Sequence, residues 1–476
     1  MKSITPASFY SLLETKFPHT PTATQSVALQ KLAEFTLSSI KDEVFLLKGY
    51  AGTGKTTLIG TLVNSLWKVQ KKAVLMAPTG RAAKVMSNYS NTQAFTIHRK
   101  IYFPKKQSGG GVQFVLAPNK HRDTLFIVDE ASMIPDTADS KLFENGSLLD
   151  DLMMFVYSGH KCKLLLIGDT AQLPPVHLVL SPALDADKLS LNYNKEVIQL
   201  ELNEVVRQAG DSGILANATL LREQLQGDFF DDFKFDVNPF TDIVRLIDGN
   251  EIQEAIDSSY SENGKEETAF IVRSNKRANL YNQNIRERIL FLENDIAVGD
   301  FMMVVKNNYY WLKPSSEAGF IANGDIIEVL EIFDIKEIYT FKFAEVKVKM
   351  VDYPNMAPFE TVLLLDTIAA ESPSLSYEDG NRLYQEVMKD FAHESSKYKK
   401  FLGVKNNKYF NGLQVKFSYA ITCHKSQGGQ WNTVFVEQPY LPNGIDKEYL
   451  RWLYTAVTRA KNKLYLIGFK DDFFVD

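Results

Sequence analysis

A glycine-rich stretch near the amino terminus constrains the fold of this chain more than any other feature. Residues 49–56 read GYAGTGKT, which places the spacing Gly-x-x-x-x-Gly-Lys-Thr between an apolar run and a segment of helical periodicity. Glycines allow such a loop to curl so that its N–H groups and the helix amino terminus face a phosphate. Lys55 is expected to reach the outer phosphates and the Thr56 hydroxyl to bind Mg²⁺. The stretch therefore predicts an α/β fold with a P-loop nucleotide site.

A second apolar run ends in two acids. Residues 124–133 read TLFIVDEASM, which predicts a buried strand with Asp129 and Glu130 at the carboxyl edge of the same sheet. Asp129 is expected to hold Mg²⁺, directly or through water, and Glu130 to orient and deprotonate an attacking water. The alternative is an acidic strand end that caps the following helix. The P-loop upstream favours the catalytic interpretation.

A third predicted strand, residues 163–169 (KLLLIGD), leads into a polar turn that contains Gln172. Gln172 is predicted to touch the γ-phosphate and to report its loss. The guanine-reading pattern Asn-Lys-x-Asp is not supported, because the stretch PNKHRD carries Arg122 where the aspartate is required. The three segments together indicate nucleotide hydrolysis without guanine specificity.

Length and composition limit the remaining possibilities. At 476 residues and 45% hydrophobic content, the chain exceeds what a single core organises, so two large domains with insertions are expected. A net charge of −5 argues against coating nucleic acid by bulk positive charge, but it permits a local basic channel. Cys162 and Cys423 lack the spacing of a disulfide framework or zinc site. With neither a signal peptide nor about 18 consecutive apolar residues, we expect a cytoplasmic protein without a membrane partner.

A series of motifs in a fixed order carries a family resemblance. The motifs are GYAGTGKTT, APTGRAA, TIHR, VDEASM, GDTAQLPPV, EVVRQ, AITCHKSQGGQW and YTAVTRAKNKLYLIG. Their set and order resemble the helicases of superfamily 1, in the 5′-to-3′ branch that contains RecD-like and phage Dda-like enzymes. The resemblance extends from about Gln25 to Gly468, nearly the whole chain.

The resemblance implies two RecA-like lobes with parallel sheets and ATP in the cleft between them. The sequence supports a second lobe independently, because further apolar runs occur at residues 268–274, 417–423, 432–437 and 463–468. We predict a first lobe at residues 1–100 and 119–185, an inserted β-hairpin pin at 101–118, a second lobe at 186–296 and 413–476, and an SH3-like β-barrel insertion with a helical extension at 297–412.

The resemblance also implies which residues serve ATP and Mg²⁺. Gln25 matches a glutamine that reads adenine in relatives, and an amide suits that edge because it presents a donor and an acceptor together. Arg207 and Arg459 match two arginines that face the transferred phosphate; the alternative for each is a surface salt bridge. The implied residues are Lys55, Glu130, Gln172, Arg207 and Arg459 as catalytic groups, Gln25, Gly52, Thr53, Gly54, Lys55, Thr56, Thr57, Gln427 and Gly428 as cofactor-binding groups, and Thr56 and Asp129 as metal ligands.

A track for single-stranded DNA is implied along both lobes. The first lobe offers a helix amino terminus and side-chain donors to a phosphate backbone, and a loop of the second lobe offers more. A lone histidine is usually structural, so His98 is included only because of its motif. The implied DNA-binding residues are Pro78, Thr79, Arg81, Thr96, His98, Phe103, Thr422, His424, Lys425 and Ser426.

Two inserted segments bear on strand separation. Residues 101–118 place aromatics on either side of a Gly109-Gly110-Gly111 turn, which predicts a β-hairpin. The resemblance implies that this hairpin is a pin in which Phe103 or Phe114 stacks on a base at the fork. The alternative is that both aromatics anchor the hairpin to its lobe.

Residues 397–410 interleave lysines with aromatics, which suits either a clamp on single-stranded DNA or an exposed basic face with packing aromatics. Trp431 departs from the pattern of relatives, which leaves a DNA contact there open.

The resulting prediction is an ATP- and Mg²⁺-dependent DNA helicase that translocates 5′ to 3′ on single-stranded DNA and unwinds duplex and fork DNA. The alternatives are a single-stranded-DNA-stimulated translocase that displaces proteins and a DNA-binding scaffold with a vestigial ATPase. The minimal unit is expected to be a monomer whose partners include single-stranded-DNA-binding, replication or repair proteins. The polarity follows from the family branch alone, and the sequence leaves replication, repair, recombination and a mobile element open as the process served.

Overall fold

The fold is built on two separate β-sheets and a small barrel. The computed structural model describes residues 4–106, 112–136, 147–176, 178–206, 212–227, 229–313, 316–442 and 444–475. Arg207 and the Gly109-Gly110-Gly111 turn lie outside the described residues. None of the described helices is long and apolar enough to cross a lipid bilayer.

The first lobe contains a six-stranded sheet with the order β3-β2-β6-β7-β1-β8, in which every pairing is parallel. Its central strands are buried along nearly their whole length, as expected where helices cover both faces. The elements are α1 Pro6–Lys16, α2 Ala23–Leu37, β1 Glu43–Gly49, α3 Lys55–Val63, β2 Lys72–Ala77, α4 Gly80–Ser90, β3 Ala94–Thr96, α5 Ile97–Ile101, β4 Tyr102–Lys106, β5 Val112–Leu116, β6 Thr124–Val128, α6 Leu148–Ser158, β7 Lys163–Gly168, α7 Ala186–Tyr193 and β8 Glu196–Leu202.

Strand β8 corrects the predicted lobe boundary. Residues 186–296 were predicted to belong to the second lobe, but β8 pairs in parallel with β1, with Val197 opposite Val44. The first lobe therefore extends at least to residue 202. The error has a physical cause: β8 is a half-exposed edge strand, and its EVIQLEL sequence does not encode which sheet it joins.

The second lobe contains a five-stranded sheet with the order β16-β10-β17-β18-β9, again with parallel pairings. Four of these strands coincide with the predicted apolar runs, and the α/β class with two parallel-sheet lobes is confirmed. Its elements before the insertion are α8 Gly213–Gln226, β9 Ile243–Leu246, α9 Gly249–Asn263, β10 Thr268–Val272 and α10 Asn275–Arg288.

The insertion forms a closed barrel with a helical extension packed against it, as predicted. Leu383 and Val387 of α12 and Val404 of α13 share a buried cluster with Phe341 and Phe343 of β13. The elements of the insertion are β11 Phe301–Val304, β12 Ile326–Ile338, β13 Phe341–Met350, β14 Phe359–Leu364, α11 Asp366–Ala369, α12 Tyr377–Lys389, α13 Lys397–Lys405 and β15 Leu413–Phe417, after which the second lobe resumes with β16 Ala420–Thr422, α14 Cys423–Ser426, β17 Trp431–Glu437, α15 Lys447–Val457 and β18 Ala460–Ile467.

Strand β15 moves the end of the insertion beyond residue 412, because it pairs with β11 and closes the barrel.

A buried ion pair joins the start of the barrel to the second lobe. Arg286 of α10 donates from Nε and Nη2 to the two carboxylate oxygens of Asp300, over 2.9 and 3.0 Å. The Tyr419 hydroxyl donates to the same carboxylate over 2.9 Å. The barrel is thus anchored by a bidentate ion pair in which the oxygens of the Asp300 carboxylate accept hydrogen bonds from Arg286 and Tyr419.

The aromatics that follow α13 pack inward. The rings of Tyr409 and Phe343, a residue of the barrel, meet in an edge-to-face arrangement with centroids 5.2 Å apart. The Tyr409 hydroxyl donates to Glu345 over 2.6 Å. Phe410 contacts Tyr384 of α12 at 5.9 Å. These contacts favour packing over a DNA clamp for this pair.

The inserted hairpin is anchored to its own lobe at the base. Strands β4 and β5 pair antiparallel, with Tyr102 opposite Leu116. The Tyr102 hydroxyl donates to Asp151 of α6 over 2.6 Å. The hairpin also meets the barrel, because Phe114 is buried against Tyr309 with ring centroids 4.4 Å apart. Phe103, by contrast, keeps 41% of its surface exposed.

Candidate functional site

The P-loop connects β1 to α3, and two of its glycines adopt a left-handed backbone. Gly52 has φ +77° and Gly54 has φ +82°, and a Cβ atom at Gly54 would lie 2.4 Å from the Gln25 amide nitrogen. The Lys55 ammonium donates to the carbonyl oxygens of Gly49 and Tyr50 over 2.6 and 2.7 Å. The loop therefore holds a cation and the amino terminus of a helix at one place, which is the chemistry that binds phosphate.

Gln25 lies beneath this loop, fully buried. Its amide nitrogen donates to the Thr53 carbonyl over 3.0 Å, and its amide oxygen accepts from the Thr22 N–H over 3.1 Å. The sequence did not indicate this contact between Gln25 and the P-loop. One amide N–H and one lone pair remain, which are the groups that the predicted reading of adenine needs.

Asp129 and Glu130 follow β6, as predicted, and their environments differ. Asp129 accepts from the Tyr89 hydroxyl over 2.9 Å and from the Glu130 N–H over 2.8 Å. Burial raises the pKa of the Glu130 carboxyl, while the charges of Arg459 and Lys55 oppose that rise. The Glu130 side chain makes no capping bond to the short helix that follows, which disfavours the capping alternative. Tyr89 has no sequence signal of its own, since it lies on α4, well before the acidic motif.

The turn after β7 carries Asp169 and Gln172, and both side chains are buried. Asp169 accepts from the Ala171 N–H over 2.9 Å and from the Tyr454 hydroxyl over 2.7 Å. The side-chain oxygen of Gln172 finds no hydrogen-bond donor among the described residues. A buried acceptor without a partner is costly, so this oxygen is available to a donor on a ligand or a water.

Side chains of the second lobe reach this turn and the P-loop. Leu173 donates its N–H to Thr455 over 2.9 Å, and its carbonyl accepts from the Gln427 amide over 2.7 Å. The Tyr454 hydroxyl accepts from the Ala51 N–H over 3.0 Å. The two lobes therefore meet at the P-loop and at the turn that follows β7.

The structure places the remaining ATP-site residues as follows. Arg459 is buried just after α15 and donates to the carbonyls of Thr455 and Gly429 over 3.0 and 3.2 Å, and its charge acts on Glu130. Thr56 is exposed and Thr57 half-buried on the first turn of α3. The nearest neighbours of Gly428 are Ala82 and Thr79 of the predicted DNA track, whereas the resemblance linked Gly428 to the nucleotide.

The predicted DNA track of the first lobe begins where β2 passes into α4. The Thr79 side chain caps α4 by accepting from the Ala82 N–H over 3.2 Å, and Pro78 precedes it. Arg81 stacks on Trp431 of the second lobe at 4.1 Å and donates to the Gln430 carbonyl over 3.5 Å. Trp431, which departs from the pattern of relatives, is thus the partner of a predicted DNA-binding arginine, and this pair joins the two lobes.

Thr96 and His98 lie at the start of α5. Thr96 is buried and caps the helix by accepting from the Arg99 N–H over 3.2 Å. Burial lowers the pKa of His98 to about 4, so its imidazole is neutral at physiological pH. The predicted contact of His98 with a phosphate would therefore involve a neutral imidazole.

The predicted track of the second lobe lies on β16 and α14. Thr422 is half-buried and His424 is exposed. Burial, together with the charge of Lys416, lowers the pKa of Lys425 to about 8, and no carboxylate of the described residues offsets this. Ser426 contradicts its prediction, because it is fully buried and donates inward to the Cys423 carbonyl over 2.7 Å. The short helix α14 turns Ser426 to the interior, while its neighbour Lys425 keeps partial exposure.

The barrel covers the start of α4, a contact that the sequence did not indicate. A Cβ atom at Gly80 would lie 2.7 Å from a carboxylate oxygen of Asp325. That oxygen has no hydrogen-bond partner among the described residues, and burial raises the Asp325 pKa to about 8. Lys84 of α4 also donates to the Val351 carbonyl over 3.0 Å. The predicted phosphate-binding end of α4 therefore adjoins the barrel.

Two family models match this chain. The first is described as an AAA domain and covers residues 33–178, and the second is described as a UvrD-like helicase C-terminal domain and covers residues 417–467. The two matches fall on the two parallel-sheet lobes, on either side of the barrel.

Three curated relatives show how the chain is similar to known proteins. An uncharacterized protein of Methanocaldococcus jannaschii is 26% identical over 92% of this chain, which spans only 38% of that protein. The ATP-dependent DNA helicase dda of Enterobacteria phage T4 is 26% identical over 88% of this chain and 93% of its own. The ATP-dependent RecD2 DNA helicase of Deinococcus radiodurans is 32% identical over 36% of this chain and 21% of its own.

Proposed function

Because the chain belongs to the superfamily 1 helicases, we propose that it is an ATP-dependent DNA helicase that moves 5′ to 3′ along single-stranded DNA and unwinds duplex. The observation that carries the proposal is the meeting of the two lobes at the nucleotide site. Tyr454 of the second lobe bonds the P-loop backbone, and the charge of Arg459 acts on Glu130. A nucleotide at the P-loop therefore lies where a change in its charge alters the fit between the lobes.

The residues around the P-loop fit ATP with Mg²⁺. Thr56 and Asp129 would supply oxygen ligands, which a hard cation such as Mg²⁺ prefers. When bound, Mg²⁺ neutralises charge on the outer phosphates. Lys55 would hold those phosphates, and Arg459 would offset the negative charge that develops during transfer.

Glu130 is the group that we assign to the attacking water. A carboxylate with a raised pKa is a stronger base than an exposed one, and burial raises the pKa of Glu130. Arg459 and Lys55 oppose the rise and favour the ionised form that accepts a proton. The buried side-chain oxygen of Gln172 has no donor among the described residues, so Gln172 is suited to orient that water or sense the γ-phosphate.

The DNA strand would cross both lobes on the side of the cleft opposite the nucleotide. Arg81 and the amino terminus of α4 would grip one phosphate segment, and Lys425 the next. Lys425 is desolvated and no carboxylate of the described residues neutralises it, so a phosphate would restore its usual pKa and gain a charge-assisted contact. Closure of the cleft on ATP and its opening after hydrolysis would then move the two grips relative to each other.

Phe103 is the aromatic that we assign to the fork. It is 41% exposed on the hairpin, whereas Phe114 is 7% exposed and packs on the barrel. An exposed ring on an anchored hairpin can stack on a base as the duplex parts. This contrast favours unwinding over a translocase that only displaces proteins.

The test uses matched duplexes that carry a single-stranded tail at the 5′ or the 3′ end, with ATP and Mg²⁺. We expect the wild-type protein to open the 5′-tailed duplex, and we expect Lys55→Ala to open neither. Lys31→Ala, at an exposed lysine of α2, controls for loss of a charge and should behave as wild type. Opening of the 3′-tailed duplex alone would refute the polarity, and DNA-stimulated hydrolysis without opening would favour the translocase.

A further inference from the structure

We propose that Tyr454 is a positioning residue that couples the position of the second lobe to ATP hydrolysis by holding the P-loop and Asp169 together through its hydroxyl. The inference rests on the proposed function and deepens it, since it concerns how the second lobe reaches the nucleotide site. Tyr454 and Asp169 lie within two of the quoted motifs, but neither residue was assigned a role from the sequence.

The geometry of the Tyr454 hydroxyl carries the inference. Tyr454 lies on α15 of the second lobe and is 1% exposed. Its oxygen accepts from the Ala51 N–H of the P-loop over 3.0 Å and donates to Asp169 Oδ2 over 2.7 Å. A single hydroxyl therefore joins two segments of the first lobe, the loop that holds phosphate and the turn that follows β7.

The bond to Asp169 is strengthened by charge. Burial raises the pKa of the Asp169 carboxyl, and the Lys55 charge and the Tyr454 hydrogen bond both act to lower it. The second oxygen of Asp169 accepts from the Ala171 N–H over 2.9 Å. A hydroxyl that donates to a buried carboxylate makes a short and strong hydrogen bond, so its loss leaves a charged acceptor without its donor.

Helix α15 links this hydroxyl to the rest of the cleft. The next residue, Thr455, accepts from the Leu173 N–H over 2.9 Å, so two consecutive side chains hold the turn that contains Gln172. Arg459 follows just after the end of the same helix and donates back to the Thr455 carbonyl over 3.0 Å. A shift of α15 against the first lobe would thus move Tyr454, Thr455 and Arg459 together. Through its hydrogen bond with Ala51, Tyr454 would transmit a shift of that helix to the P-loop.

Tyr449 offers a matched control on the same helix. Its side chain is also buried, and its hydroxyl donates to Gln438 over 2.6 Å, within the second lobe. Tyr454→Phe and Tyr449→Phe each remove one hydroxyl and keep the ring in the core. Only the first of these two substitutions breaks a contact between the lobes.

The experiment measures ATP hydrolysis with and without single-stranded oligothymidylate, together with thermal unfolding of each variant. For Tyr454→Phe we expect a fall of about tenfold in the DNA-stimulated kcat, the size expected for a lost hydrogen bond to a charged group, and a change in the KM for ATP of less than about threefold. Tyr449→Phe should retain the wild-type kcat. In an Asp169→Asn background, Tyr454→Phe should produce little further loss, because the two residues act as one unit.

Three results would overturn the inference. A DNA-stimulated kcat of Tyr454→Phe within about twofold of wild type would show that the hydroxyl is not needed. Equal losses in both tyrosine variants, or losses that add to that of Asp169→Asn, would indicate a structural role. Absence of DNA-stimulated hydrolysis in the wild-type protein would instead refute the proposed function itself, which keeps the two failures distinct.

Discussion

The two aromatics of the inserted hairpin give the sharpest test of how the proposed helicase parts a duplex. Phe103 and Phe114 belong to the two paired strands of the hairpin, with Phe103 opposite Val115 and Phe114 opposite Pro104. Phe103 is 41% exposed, and Phe114 is 7% exposed against Tyr309. We predict that Phe103→Ala impairs strand separation and that Phe114→Ala impairs stability.

The magnitudes follow from these surroundings. Stacking of a base on an aromatic ring contributes about 1–3 kcal/mol, so loss of the Phe103 ring should slow unwinding by roughly five- to hundredfold. Its exposed position implies a stability change within about 1 kcal/mol. Truncation of a buried phenylalanine costs about 3–5 kcal/mol, so Phe114→Ala should lower the melting temperature by several degrees.

The assay compares both variants with wild type on a 5′-tailed duplex, with DNA-stimulated ATP hydrolysis and thermal unfolding recorded in parallel. Phe103→Ala should lose unwinding while it retains hydrolysis and melting temperature. Phe114→Ala should melt earlier and lose both activities in proportion to its unfolded fraction. Wild-type unwinding by Phe103→Ala, with selective loss of unwinding in a fully folded Phe114→Ala, would refute the assignment.

Three further predictions address the P-loop, the barrel anchor and the barrel contact. Gly54→Ala should weaken nucleotide binding severely, because φ is +82° and the new Cβ would lie 2.4 Å from Gln25; a fluorescent-nucleotide titration with wild-type affinity would contradict this. Asp300→Ala should cost about 3–5 kcal/mol in urea unfolding, because it leaves Arg286 buried without its partner, and a loss below about 1 kcal/mol would show that the pair does not anchor the barrel. Asp325 has a pKa of about 8 in the folded protein against about 3.9 in an unfolded chain, so the folded state binds more protons and the free energy of unfolding should fall as pH rises from about 4 to 8. Asp325→Asn should flatten that slope, which reaches at most about 1.4 kcal/mol per pH unit, and an unchanged slope in pH-dependent unfolding would disprove the assignment.

Local patterns predicted the parts of the fold that depend on neighbouring residues. The strand before the P-loop, the strand before Asp129 and the apolar runs of the second lobe all form as expected. Each is apolar along its length, because strands covered by helices on both faces bury both sets of side chains. The two-lobed α/β class was accessible for the same reason, whereas the barrel insertion was predicted from the family resemblance.

The partners of two boundary strands could not be predicted in this way. β8 joins the edge of the first sheet and β15 closes the barrel between β11 and β14, although both were predicted to belong to the second lobe. The sequence of such a strand carries little information about its partner. Strands pair through backbone N–H and C=O groups, and these groups are nearly the same in every residue. Pairing across long sequence separations is decided when the sheets assemble.

The candidate site divides in the same way. Lys55, Asp129, Glu130 and Gln172 were named from motifs, and the structure places Lys55 at the start of α3 and the other three after the carboxyl ends of β6 and β7. Ser426 was named from a motif as well, but it faces the interior. A motif specifies residue types at a spacing, while the direction of a side chain on a short helix depends on what packs around it.

The sequence by itself determined the phosphate loop, the acids that follow the strands and the order of the motifs, because these are set by short spacings along one chain. Only the tertiary structure decided that Tyr454 reaches Ala51 and Asp169, that Arg81 stacks on Trp431 and that Phe103 rather than Phe114 stays exposed. These contacts join residues far apart in the chain, and neither partner carries a local signal of the other. Burial and partner geometry arise only when the lobes and the barrel pack together, which is why the couplings between sites could not be predicted from the motifs that define them.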